Sequence, residues 1–142
     1  MDTKKVIFVC TGNTCRSPMA EAIFKNRLNE TQKQKLLIES RGLSTLGDDA
    51  ATENAIETMA ELGIDISNHR SKPLTSLDLD ASLFVPMTDT HALLLERVGI
   101  DSSKIITLNI PDPYGSNLET YKACAKEIER SLEKVYEYIK NW

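Results

Sequence analysis

Residues 5–30 constrain the fold of this chain most strongly. The β-branched and aromatic run "KVIFVC" (5–10) passes through the loop "TGNTCR" directly into "SPMAEAIFKNRLNE" (17–30), a stretch of good helix formers. Strand, tight loop and helix in immediate succession open a βαβ unit. Ser17 is a favoured N-cap and Pro18 suits the first helical position, so the helix is expected to begin just behind Arg16.

The alternation then continues. "LLIES" (36–40) reads as a second strand ending at Gly42, and "DAATENAIETMAEL" (49–62) as a helix with apolar residues at 55, 59 and 62, closed by Gly63. "SLFVPM" (82–87) and "KIITL" (104–108) supply two more strands, separated by the helical "THALLLERVG" (90–99), while residues 69–79 read as loop plus a short helix. From 117 onward, apolar residues at 118, 121, 125, 128, 132, 135 and 139 make one continuous helix face, which needs a sheet to cover. The expected fold is α/β: a parallel sheet of about four strands with helices on both faces, and an anion-binding loop between the first strand and first helix.

The 142 residues suit a single domain, 1–142, which at this size buries roughly two-thirds of its unfolded surface. "VIFV" is far shorter than a signal-peptide core, and no stretch approaches the ~20 apolar residues that span a bilayer. A cytoplasmic protein with no membrane association is therefore expected. Three cysteines, an odd number, make no disulfide framework and are expected to rest as thiols. A net charge of −4 argues against a nucleic-acid partner, so any bound anion must be held by local groups.

Those groups sit between Cys10 and Arg16. Thr11, Gly12, Asn13, Thr14, Cys15 and Arg16 can turn successive N–H groups toward one point at the start of a helix, a geometry that attracts negative charge. Arg16 adds a planar fork of donors suited to phosphate. The same field favours a thiolate at Cys10, and Ser17 is placed to hydrogen-bond that sulfur and assist its departure in a later step. Gly12 supplies backbone freedom, and Asn13 tolerates the left-handed region while offering an amide to pin the loop. Two other readings of Cys10 stand beside this one. A zinc site with Cys15, Cys124 and His69 or His91 lacks recognisable ligand spacing. Simple packing leaves Gly12, Asn13 and Arg16 unexplained, whereas Cys124, beside the apolar seam of the last helix, reads as structural.

"CTGNTCRSPMAE" resembles the phosphate loop of the low-molecular-weight protein tyrosine phosphatases, C-x-G-N-x-C-R-S-P. "ESRG" (39–42), "LGIDISNHRS" (62–71) and "DPYG" (112–115) resemble the family's other landmarks, in the same order. The resemblance implies that Ser40 and His69 join Asn13 in a network bracing the loop, that Asp112 is the general acid, and that Tyr114 flanks the pocket mouth. It further implies a covalent cysteinyl-phosphate route on phosphorylated protein substrates, releasing phosphate, with no metal or cofactor. Cys15 would trap an oxidised Cys10 as a reversible disulfide.

Substrate preference turns on departures from the best-known members. Thr14 stands where tyrosine-specific members commonly carry isoleucine, as in the members that are protein arginine phosphatases. "LSTLGDD" holds no tryptophan, and Tyr114 is followed by Gly115, so one aromatic wall is thinned. Phosphoarginine is the leading substrate and phosphotyrosine the alternative. Arsenate reduction, on the same fold and loop, is a distant alternative, because residues 70–95 contain no cysteine to relay a disulfide. Arg41 replaces the family's usual small residue and either adds charge near the pocket or faces solvent.

Overall fold

The computed structural model describes residues 3–142. The elements, in chain order, are β1 (Lys4–Cys10), α1 (Arg16–Arg27), α2 (Glu30–Lys35), β2 (Leu36–Gly42), α3 (Glu53–Glu61), β3 (Leu83–Pro86), α4 (Asp89–Arg97), α5 (Leu118–Ser131) and α6 (Glu133–Ile139). The α/β class holds, as a parallel three-stranded sheet in the order β2-β1-β3.

The central strand explains the layering. Val6, Ile7, Phe8 and Val9 are all fully buried, as a strand covered on both faces requires. Val6 and Phe8 enter the larger apolar cluster with α1, α3 and the α5–α6 seam, whereas Ile7 and Val9 meet Phe84, Leu95 and Ile100 on the other face. Parallel strands end at one edge, so Cys10, opposite Gly42, lies where the segments after β1, β2 and β3 converge.

The expected fourth strand is a single bridge, Phe84 to Ile105. Residues 104–108 do run beside β3, donating from Ile106 N–H to the Phe84 carbonyl and from Leu108 N–H to the Pro86 carbonyl, each at 3.0 Å. Pro86 has no N–H to return, so the ladder stops there.

The helices differ from expectation at their ends. The first begins at Arg16 with Cys15 as N-cap and without a side-chain cap, so Pro18 is its third residue rather than its first. It stops at Arg27 because Asn29 and Gln32 form a reciprocal capping box that starts α2, at 2.8 and 3.0 Å. The third starts at Glu53, capped by Thr52, and leaves Leu62 half exposed, while Gly63 closes it at φ 78° as expected. The final helix tightens at Leu132 into α5 and α6, with the buried seam running through unbroken. Among the described residues no helix is long and apolar enough to cross a membrane.

Candidate active site

Cys10 is the last residue of β1, 2% exposed, and its Sγ is the focus of the loop. The Asn13 N–H points at that sulfur from 3.3 Å, and the Ser17 hydroxyl lies 2.9 Å away. Ser17 thus turns inward instead of capping α1, because its Oγ also accepts from Asn13 Nδ2 at 2.8 Å. The left-handed residue of the loop is Asn13, at φ 57°. Gly12 does not adopt a positive φ, and a Cβ there would meet only the Thr14 hydroxyl, at 3.6 Å.

The bracing network assembles as expected around Asn13. Its Nδ2 donates to Ser40 Oγ at 2.9 Å, its carbonyl lies 2.7 Å from His69 Nε2, and its Oδ1 accepts from Lys72 N–H at 2.9 Å. Ser40 in turn donates to Glu21 Oε1 at 2.6 Å. Other backbone contacts hold the loop: Leu43 N–H on the Cys10 carbonyl, Ser44 N–H on the Thr11 carbonyl and Thr52 N–H on the Thr14 carbonyl, each at 2.9 Å. Among the described residues the Thr14 hydroxyl has no hydrogen-bond partner.

Arg16 is 4% exposed, which for a guanidinium demands strong partners. One terminal nitrogen donates to the Ile110 carbonyl at 3.0 Å, the other lies 3.6 Å from Asp112, and buried Nε has no partner among the described residues. That leaves a buried donor without an acceptor among the described residues. Asp112, with its side chain half exposed, accepts from Tyr114 N–H at 3.0 Å and from the Cys15 thiol at 3.6 Å. Cys10, Arg16 and Asp112 are therefore brought together. Tyr114 is 69% exposed and meets the three only through its backbone N–H on Asp112.

Burial, then the neighbouring Cys10 and Asp112, push the Cys15 thiol up to about 12; burial does the same for Cys124, also to about 12. Both sulfurs stay protonated at neutral pH, and all three cysteines are free. Among the described residues no three His, Cys, Asp or Glu side chains converge as a metal site. Arg41 does not face solvent, its side chain being 12% exposed. Its guanidinium engages Asp78 at 3.3 Å, Glu39 at 2.7 Å and the Ser40 carbonyl at 2.8 Å, none of them in the loop.

Sequence reasoning gave Gly42 and Glu21 no part in holding the loop. A Cβ on Gly42 would lie 2.8 Å from the Thr11 carbonyl oxygen and 3.1 Å from Asn13 Cβ, so the loop rests directly on this glycine. Its local signals are a glycine at a strand end and the last place in "ESRG", and the contact it permits depends on the pairing of β1 with β2.

Residues 5–141 match the family described as low molecular weight phosphotyrosine protein phosphatase. The chain belongs to that family. It is accordingly a protein phosphatase. Among its low molecular weight phosphatase relatives is the protein-arginine-phosphatase of Bacillus subtilis, 36% identical over 95% of this chain and 96% of that protein. The low molecular weight protein-tyrosine-phosphatase PtpB of Staphylococcus epidermidis is 32% identical over 95% of this chain and 94% of its own length. Among solved structures, the low molecular weight protein tyrosine phosphatase from T. tengcongensis superposes with a TM-score of 0.86 at 36% identity, over 96% of this chain and 100% of its own. A YwlE mutant from Bacillus subtilis gives 0.85 at 33% identity, over 97% and 99%.

Proposed function

We propose that this low molecular weight phosphatase, a single domain over residues 1–142, hydrolyses phosphoarginine in proteins through a cysteinyl-phosphate. The observation that carries the reading is the convergence on Cys10 Sγ of the Asn13 N–H and the Ser17 hydroxyl, together with a buried Arg16 whose Nε has no partner among the described residues. The Cys10 thiolate attacks phosphorus in line and the P–N bond to the guanidino group breaks. Loop amides of residues 11–15 and Arg16 hold the equatorial oxygens, while Asp112 gives its proton to the departing nitrogen. Water then attacks the cysteinyl-phosphate, Asp112 takes its proton, and phosphate leaves as the thiolate re-forms with help from Ser17. Asn13, Ser40 and His69 keep the loop in shape, and Tyr114 meets the substrate at the rim. Cys15 is the thiol that traps an oxidised Cys10, and the setting is cytoplasmic.

Thr14 supports the arginine reading. A β-branched residue with a free hydroxyl leaves room beside the leaving group and can orient the hydrolytic water, whereas a larger aliphatic group packs against a phenyl ring. Relatives named as protein-arginine-phosphatases, at 36% and 32% identity, point the same way. Phosphotyrosine is the second reading, favoured by the relatives named as tyrosine phosphatases and by exposed Tyr114. The test is kcat/KM on matched phosphoarginine and phosphotyrosine peptides, before and after Thr14→Ile. Preference for phosphoarginine that shifts toward phosphotyrosine in the variant is expected; an unchanged preference refutes the role given to Thr14. Asp112→Asn is expected to lower kcat by about 10²–10⁴-fold, as loss of a general acid does. A variant that raises only KM would make Asp112 a binding group instead.

A further inference from the structure

One buried histidine has no part in this chemistry. His91 is 5% exposed, in the first turn of α4, and both its ring nitrogens are engaged. Nδ1 lies 2.9 Å from Thr88 Oγ1, the same oxygen that caps α4 by accepting from His91 N–H at 3.3 Å. Nε2 lies 2.8 Å from Thr11 Oγ1, a partner 80 positions away in the chain.

Thr11 directly follows the nucleophile, and the two flanks of the central strand grip it from different atoms. From the β2 side, Ser44 N–H holds its carbonyl; from the β3 side, His91 holds its hydroxyl. The Asn13 network runs to Ser17 on α1, Ser40 on β2, Lys72 and His69, and none of these bonds reaches Thr11. Donors held in place before an anion arrives cost nothing to align when it binds.

We propose that His91 is a positioning residue of the phosphatase site, fixing the start of the phosphate loop through Thr11 so that its amides are aligned before the phosphoryl group enters. The inference rests on the reading of residues 10–16 as the phosphate loop. The charge state fits. Burial, and Arg16 at the start of α1, hold the imidazole below its ordinary value, outweighing the opposite pull of Asp112 from the segment before α5. A neutral ring has one donor and one acceptor, which makes Thr88, His91 and Thr11 a chain of fixed sense whichever nitrogen carries the proton.

Three substitutions separate this role from packing. His91→Gln places a polar atom near the position of Nε2 and can still reach Thr11. His91→Asn imitates Nδ1 and reaches only Thr88, and His91→Leu reaches neither. The measurement is the inhibition constant of inorganic phosphate against hydrolysis of a small phosphate ester. His91→Asn and His91→Leu are expected to raise it about fivefold, the worth of about one hydrogen bond, with His91→Gln within about twofold of the unchanged protein. Thr11→Val should match His91→Leu, and the double variant should be no worse than either. Equal impairment of the Gln and Asn variants, or factors that multiply in the double variant, would overturn the proposal and leave His91 a helix-packing residue. If phosphate fails to inhibit the unchanged protein, the reading of the loop falls and the inference with it. If phosphate inhibits and every His91 variant binds it equally well, the inference alone falls.

Discussion

Three cysteine thiols are buried in this chain, and what surrounds each sulfur decides its chemistry. Around the Cys10 sulfur stand the Asn13 N–H, donating from 3.3 Å, and the Ser17 hydroxyl at 2.9 Å. Cys15 and Cys124 lie in surroundings that push both up to about 12, burial first among the causes. A thiol becomes a thiolate only as pH rises past that value, so while Cys10 is reduced neither is ionised in the neutral range. Iodoacetate at pH 7.5 is therefore expected to modify Cys10 alone, and more slowly with phosphate present, as mass spectrometry of the peptides will show. Comparable labelling of Cys15 or Cys124 would contradict this assignment of reactivity. At this scale the loop was legible because its members are sequence neighbours. Ser17 meets the Cys10 sulfur as expected but does not also cap the helix, because one hydroxyl serves at a helix end or beneath a sulfur, and the position of Asn13 chooses between them.

Between elements, register decides more than propensity. Cys10 pairs opposite Gly42, which lets the Thr11 carbonyl and Asn13 Cβ lie against a residue without a side chain. Gly42→Ala would put a methyl 2.8 Å from a backbone oxygen, so the loop must move. The expected cost is about 1–3 kcal/mol of stability, read from denaturant unfolding. The loss in kcat/KM should be larger in effect, on the order of 10²-fold, because misplaced catalytic donors are so costly. A variant with unchanged kcat/KM would show that this contact does not shape the loop. Pro86 is the counterexample on the opposite side of the sheet. Residues 104–108 have the composition of a strand and lie where a strand belongs, yet one missing N–H in their neighbour reduces the pairing to a single bridge.

The molecule as a whole carries a net charge of −4, which opposes a phosphate dianion. Binding must therefore come from donors within the ~8 Å over which charges act at physiological salt. Phosphate that binds only the folded state should stabilise it by about 2.7 kcal/mol at 100 times its Kd. The resulting rise in Tm is expected to persist in Cys10→Ser and to vanish in Arg16→Ala; a rise that survives in Arg16→Ala would place the anion elsewhere. Residues close together in the chain determined the alternating strand and helix pattern, the strand-loop-helix cradle, and the family landmarks that pointed to Ser40, His69 and Asp112. The tertiary structure alone decided what meets across long separations: His91 with Thr11, Ile110 with Arg16, Glu21 with Ser40, and Gly42 beneath the loop. Periodicity and capping are written in neighbouring residues, whereas a hydrogen bond across 80 or 94 positions exists only once the strands have paired in register and brought their ends to one edge.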